Sequence, residues 1–235
     1  MASPYFYFAH LATMPEEFTL NENSSRHIIQ VLRMQTNEEL RLTDGNGLSV
    51  LAKIREANKK KCSVSIIEKQ KQEPPKRRVQ IALSLLKNAS RFEWFLEKAT
   101  ELGISEIIPL KSARTEKQQF RMDRMKGILE SALIQSQQVW MPVLLEPQNF
   151  LPWVEKVQAD QKFIAHCEPG AKRRLSEMIN TNLSSQLILI GPEGDFTDEE
   201  IKRSLDNRFI AVELGENRLR SETAAVAAAS VLKLL

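Results

Sequence analysis

With 235 residues, 42% of them apolar and 27% charged, the chain has material for one or two domains and a good-sized core. No apolar run approaches the ~20 residues that cross a bilayer, so no membrane partner is expected. The opening residues lack the basic cluster and small-residue cleavage site of a secretory leader. Cys62 and Cys167 stand alone, which excludes a disulfide framework and a Cys-based metal site. They read as incidental buried thiols in a reducing compartment, so a cytoplasmic location is expected. His10, His27 and His166 show no ligand spacing, and no metal is expected. The net charge is only +3, but it is unevenly spread. Residues 53–78 hold ten Lys/Arg against three acidic residues, a net of +7, while the other 23 basic and 27 acidic residues give −4. Such asymmetry points to a polyanionic partner. A solvated hairpin tip followed by a basic linker would account for the same run.

In chain order, residues 1 to about 72 read as β-rich. Residues 39–43 alternate and end at Asp44-Gly45-Asn46-Gly47, a strong turn signal. Residues 48–54 and 62–68 alternate again, on either side of a turn at Asn58-Lys59-Lys60-Lys61. One helix over residues 24–34 interrupts them, with Ser24 as its cap. Short antiparallel strands in so small a segment predict a compact barrel. Residues 70–76, polar and holding Pro74-Pro75, read as a linker.

Strand–helix alternation follows. Strands are expected at 79–85 and 104–110, with a helix at 91–102 between them that stops at Gly103. A longer helix spans 122 to about 139. Next come a strand at 163–167, a helix at 171–179, a strand at 187–190, a strand ending at Leu214, and a final helix at 221–235. This order predicts a mainly parallel sheet covered on both faces.

Two segments carry the chemistry. Leu187-Ile188-Leu189-Ile190 is the continuous apolar run of a strand buried on both faces, and it enters Gly191-Pro192-Glu193-Gly194. Thr197, with Glu200 three residues on, then reads as a capping box. The second segment ends a strand at Leu214-Gly215 and passes Asn217, Arg218, Leu219 and Arg220. It enters a helix rich in small residues, Ala224, Ala225, Ala227, Ala228 and Ala229, which predicts close packing at a crowded crossing. Two such units side by side would put two bare turns at one sheet edge, where open α/β sheets bind ligands. Neither turn has the dinucleotide or Walker glycine spacing, and neither carries a phosphate-binding Lys. Backbone plus one carboxylate suits a neutral or cationic ligand better than a polyphosphate. A tight turn with an incidental Glu, or a surface arginine before a helix, would give the same spacing.

At these residues the sequence resembles the RsmE family of the SPOUT superfamily, 16S ribosomal RNA uridine N3-methyltransferases. The likeness rests on Gly191 to Gly194, on Leu214-Gly215 with Leu219-Arg220-Ser221-Glu222-Thr223-Ala224, and on Lys98-Ala99-Thr100-Glu101-Leu102-Gly103 with Ile108-Pro109-Leu110. Gln135-Ser136 within the long-helix motif, and His27 with Val31-Leu32-Arg33, add to it. The chain departs from the family pattern at Asp195, where a second glycine is common, at Asn217-Arg218, and at Ile134.

The resemblance implies an α/β fold with a SPOUT trefoil-knot domain at 73–235, its last helix threaded through a loop. A small PUA-like RNA-binding β-barrel would occupy 1–72. It implies a homodimer that binds S-adenosyl-L-methionine and methylates small-subunit ribosomal RNA, in an assembled 30S particle. The cofactor would lie against Leu189, Ile190, Gly191, Pro192, Glu193, Gly194, Leu214, Gly215, Asn217, Leu219 and Arg220. Arg220 is the choice for stabilising the developing uracil anion or a phosphate, and Glu222 is a candidate general base. RNA contacts are expected from Arg26, His27, Arg33, Lys59, Lys60, Lys61, Arg77, Arg78 and Arg218. The rival expectations are another SPOUT enzyme, acting on transfer RNA or a ribose hydroxyl, and a non-catalytic RNA-binding relative. A nucleotide-binding oxidoreductase lacks its glycines here.

Overall fold

A computed structural model describes residues 3–116 and 119–235. Its contacts divide the chain into two units. One comprises the residues up to Pro74 together with Leu133–Met141; the other comprises Pro75–Ala132 and Pro142–Leu235.

The first unit is a five-stranded sheet built from β1 (Tyr5–Tyr7), β2 (Glu17–Thr19), β3 (Glu39–Thr43), β4 (Leu48–Glu56) and β5 (Ser63–Lys71), in the order β1-β3-β4-β5-β2. The alternation read at 39–43 and 48–54 is the β3–β4 antiparallel ladder. Its inward residues Leu40, Leu42, Val50, Ala52 and Ile54 are buried in one apolar core with Ile28 and Val64. The pairing is not wholly antiparallel, because β1 runs parallel to β3. The helix expected at 24–34 starts earlier and is split. Asn21 caps α1 (Glu22–Arg26) by accepting the Ser24 N–H, a role Ser24 had been expected to fill. The chain then widens into a π-turn at His27–Val31 and closes with Arg33 at φ +56°. That turn buries Ile28 completely and leaves Val31 64% exposed. Residues 133–141 join this unit through Val139, whose carbonyl accepts the Gly47 N–H, and Met141, whose N–H reaches the Gly45 carbonyl.

The second unit is an eight-stranded sheet in which every described pairing is parallel. Its strands are β6 (Arg78–Ser84), β7 (Glu106–Lys111), β8 (Val143–Leu144), β9 (Gln148–Asn149), β10 (Gln161–Ala165), β11 (Arg173–Arg174), β12 (Ser185–Ile190) and β13 (Ile210–Glu213). The order is β11-β13-β10-β12-β6-β7-β8, with β9 also on β7. The helices are α2 (Ala89–Glu101), α3 (Met122–Gln135), α4 (Phe150–Val154), α5 (Leu175–Met178), α6 (Asp198–Asp206) and α7 (Ser221–Leu234). Period-two alternation splits the strand residues between two cores. Ala82, Ile164, Leu187 and Leu189 pack with Phe150, Val154, Phe196 and Ile201 of the α4–α6 side. Ile81, Leu83 and Ile188, fully buried as well, point the opposite way, toward the side where α7 crosses β6 and β12 and meets α2. Burying each such side chain is worth roughly 1.5–3 kcal/mol.

This is the doubly covered parallel architecture that the resemblance implies, and the last helix is buried rather than free on the surface. Ala225, Ala228 and Ala229 are fully buried in it, so small side chains set its closeness to its neighbours. Gly103 ends α2 as expected, at φ +71°, with the Ile104 N–H reaching back to the Ala99 carbonyl. Two expected helices are shorter than their patterns. The helix from 122 stops at Gln135, where Gln137 turns to φ +54°. The helix expected over 171–179 is reduced to α5, because Arg173–Arg174 leave it to pair with β13 as β11.

Candidate functional site

The carboxyl ends of β10, β12 and β13 meet the N-terminus of α7 around a cavity of about 700 Å³. That volume suits a cofactor-sized ligand. The two glycine turns both line it, but they are not adjacent. β10 lies between β12 and β13, so the loop after β10 forms a third wall through Ala165, His166, Cys167 and Lys172. The chain-order reading missed this wall, and the side-by-side arrangement of the two units is corrected. The local signal for it was a strand followed by Pro169-Gly170.

At the first turn, Gly191 is buried where the chain folds back on itself. A Cβ there would stand 3.2–3.3 Å from Asp195 Oδ1, Phe196 Cδ2 and the Phe196 nitrogen. The left-handed residue of this turn is Asp195, at φ +63°, rather than Gly194. Aspartate tolerates that conformation through local hydrogen bonds. Its Oδ1 accepts the Phe196 N–H at 2.8 Å, and its Oδ2 accepts the Cys167 N–H at 2.6 Å, which ties the first turn to the third wall. The capping box at Thr197 and Glu200 forms as expected. Glu200 also accepts the Ala113 N–H at 2.7 Å, and Arg114 donates to the Gly194 carbonyl, so the loop after β7 braces the same turn. At the second turn, Gly215 sits at φ +148°, which an L side chain rarely adopts.

Of the residues expected at a cofactor, Ile190, Gly191, Pro192, Glu193, Leu214, Gly215, Asn217, Leu219 and Arg220 line the cavity, whereas Leu189 and Gly194 do not. Leu189 instead fills the α4–α6 core. The Glu193 carboxylate already has protein partners, since it accepts the Lys87 N–H at 3.1 Å and lies 3.8 Å from Arg91. Glu222 is not a lining residue either. It is 7% exposed, and its carboxylate lies 3.6 Å from the same Arg91. The geometry therefore corrects its assignment as base: it faces α2, and Arg91 bridges it to the first turn. Arg218 and Arg220 line the cavity, are exposed, and make no ion pair among the described residues. Burial, followed by the charge of Lys172, lowers the His166 pKa, with Asp195 and Glu168 opposing. Cys167, expected buried, is exposed at the cavity; desolvation and then Asp195 raise its pKa.

The expected RNA-binding residues fall into two groups. In the first unit, Lys59, Lys60 and Lys61 form an exposed turn in which Asn58 Oδ1 accepts the Lys60 N–H. The turn is anchored beside α1 by Cys62, whose N–H donates to Ser25 Oγ. Arg26, His27 and Arg33 are exposed, with Arg26 paired to Glu22 and His27 edge-on to Phe6. In the second unit, Arg77 and Arg78 are diverted to structural tasks. Arg77 donates to the Leu232 and Lys233 carbonyls and caps the end of α7. Arg78 is paired with Glu106, which is 7% exposed.

No helix among the described residues is long and apolar enough to cross a membrane, and none of their His, Cys, Asp and Glu side chains cluster as a metal site. Comparison with known proteins gives concordant likenesses. A family model described as an RNA methyltransferase domain matches residues 72–233, and one described as an RNA methyltransferase PUA domain matches residues 20–67. The ribosomal RNA small subunit methyltransferase E of Synechocystis is 30% identical, over all of this chain and 80% of its own. A probable rRNA-methyltransferase from Porphyromonas gingivalis is similar at a TM-score of 0.90 and 32% identity, over 98% of both chains. A ribosomal RNA small subunit methyltransferase E from Neisseria gonorrhoeae, solved with S-adenosyl methionine bound, is similar at 0.88 and 27% identity, over 99% of this chain and 98% of its own.

Proposed function

The chain belongs to the ribosomal RNA small subunit methyltransferase E family, and from that premise we propose that it methylates N3 of a uridine in 16S ribosomal RNA, with S-adenosylmethionine as donor. The observation that carries this reading is the three-walled cavity at the ends of β10, β12 and β13. Its volume, its bare turns and its mixed charges fit a zwitterionic sulfonium nucleoside. When bound, that cofactor supplies an electrophilic methyl group. The chain's task is to place uridine N3 in line with it and to favour the anion left when the N3 proton departs. Gly191 and Gly215 let backbone approach the ligand, while Ile190, Pro192, Leu214 and Leu219 exclude water. Arg220, at the N-terminus of α7, stabilises the uracil anion, and Arg218 beside it holds a phosphate or the same anion. The exposed Lys59–Lys61 turn, with Arg26, His27 and Arg33, grips RNA phosphates in the PUA-like first unit, which takes in Leu133–Met141 besides the segment expected at 1–72, and the second unit carries the chemistry. The protein acts in the cytoplasm as a homodimer on the assembled 30S particle.

The test is nucleoside mass spectrometry of small-subunit RNA incubated with the protein and isotopically labelled donor. N3-methyluridine is the expected product. A labelled ribose, or label only in transfer RNA, would overturn the assignment in favour of another reaction of the same superfamily. No label in either RNA, with no donor binding by calorimetry, would leave an RNA-binding relative without catalysis.

A further inference from the structure

Resting on the methyltransferase reading above, we infer that Asp195 is a specificity-determining residue that makes the cavity prefer the cationic methyl donor to its demethylated product. Four carboxylates line the cavity: Glu193, Asp195, Glu213 and Glu216. Three of them face a guanidinium. Glu193 lies 3.8 Å from Arg91, Glu213 lies 3.9 Å from Arg174, and Glu216 lies 3.5 Å from the same arginine. Asp195 has no ion-pair partner among the described residues. It is held instead by two backbone donors, the N–H groups of Cys167 and Phe196. These fix the carboxylate without neutralising it, and the price is a left-handed backbone that a side chain enters unwillingly. Of the cations lining the same cavity, Lys172 donates to the His166 and Glu168 carbonyls, and Lys172, Arg218 and Arg220 all make no ion pair with Asp195 among the described residues. The lowered pKa of His166, on the same wall, keeps that ring from adding a competing positive charge.

The ligand's own charge makes this matter. S-adenosylmethionine carries a sulfonium, an ammonium and a carboxylate, for a net charge of +1. Once the methyl carbon has bonded to N3, the electron pair of the broken C–S bond stays on sulfur, the N3 proton goes to water, and the product is a thioether of net charge zero. Contacts to the ligand's own carboxylate and ammonium treat donor and product alike, because both molecules carry those groups. A fixed carboxylate without a counter-ion does not, because it attracts the form that still has the sulfonium. Asp195 therefore raises affinity before the reaction and relaxes it afterwards, which favours product release.

The test is isothermal titration of the full chain with S-adenosylmethionine and, separately, with S-adenosylhomocysteine, at low and moderate salt. The variants are Asp195→Gly, whose backbone suits the left-handed turn, and Asp195→Asn, which keeps one acceptor. Thermal melts establish that each is folded. We expect both variants to bind the donor about tenfold more weakly, equal to ~1.4 kcal/mol, and the product within twofold of wild type. Donor and product weakened by the same factor, or neither changed, overturns the inference and leaves Asp195 a loop brace, whatever happens to turnover. Wild-type protein that binds neither molecule overturns the methyltransferase reading itself and the inference with it.

Discussion

Arg91 is the joint at which α2, the first glycine turn and α7 meet, so replacing it is the most informative perturbation of the site. Its guanidinium lies 3.6 Å from Glu222 and 3.8 Å from Glu193. Arg91→Met keeps the aliphatic stem and removes the charge. Glu222, with its side chain 9% exposed and Oε2 already without a hydrogen-bond partner, would then be a carboxylate in a mostly dry environment. Removing one partner of a fully buried pair costs about 3–5 kcal/mol, whereas fully exposed pairs contribute about 0–1. Arg91 is about one-third exposed and both contacts exceed 3.5 Å, which places the expected loss between those limits, at about 2 kcal/mol. For a unit of this size that corresponds to a fall in melting temperature of roughly 4–8 °C. The assay is urea unfolding and thermal melting of Arg91→Met, Glu222→Gln and the double variant. Adding Glu222→Gln to Arg91→Met should recover more than half of the loss, because the uncompensated charge is gone. Donor affinity should fall in Arg91→Met, as Glu193 loses one of its two holds on the turn. A variant within about 0.3 kcal/mol of wild type, or a Glu222→Gln effect that is the same with and without Arg91, would refute the bridging role.

Three further outcomes follow from the same geometry. Ala228→Leu adds volume to a fully buried position on α7 and should cost about 1–3 kcal/mol by overpacking, read as a lower urea midpoint; an unchanged midpoint would show that the crossing has slack. Because the folded pKa of His166 is lowered, the unfolded chain takes up its proton first as the pH falls. Stability present at pH 7 should therefore decline below about 6.5, and His166→Gln should flatten that decline in denaturation at pH 7.5 and 5.5. If both proteins lose stability equally, the burial of that ring is not what sets its pKa. Replacing Lys59, Lys60 and Lys61 with Ala should weaken binding to small subunits and reduce its dependence on log salt by up to about 3 units in slope, measured by filter binding; an unaltered slope would remove the turn from the interface.

Much of the site could be read from local sequence, because its turns are local devices. The Leu187–Ile190 run had to be a strand buried on both faces, and Thr197 with Glu200 had to be a cap; neither depends on distant residues. The alanines of α7 reported a crowded crossing for the same reason. What escaped the sequence reading depends on long-range pairing. Nothing within residues 161–165 says that β10 sits between β12 and β13, so the third wall with His166 and Cys167 was missed. Arg77 and Arg78 look like part of one basic run, yet the end of α7 and Glu106 claim them from 155 and 28 residues away. Glu222, two residues after Arg220, looked like a catalytic neighbour, but two steps along a helix turn a side chain by about 200°, enough to point it at α2 instead. Asn21 displaced Ser24 as the first cap because two good capping residues lay three positions apart, and propensity alone does not choose between them.

The inclusion of Leu133–Met141 in the first unit means that this unit is assembled from two separate stretches of the chain. A fragment cut at Pro74 would lack the backbone partners that Val139 and Met141 give to Gly47 and Gly45. Engineering that half as a stand-alone RNA-binding module therefore calls for a graft or a circular permutation that carries the distant stretch along, not a simple truncation. During synthesis the same half stays incomplete until the whole stretch from Pro75 to Met141 has left the ribosome, so its folding has to wait for residues that follow the first part of the other unit.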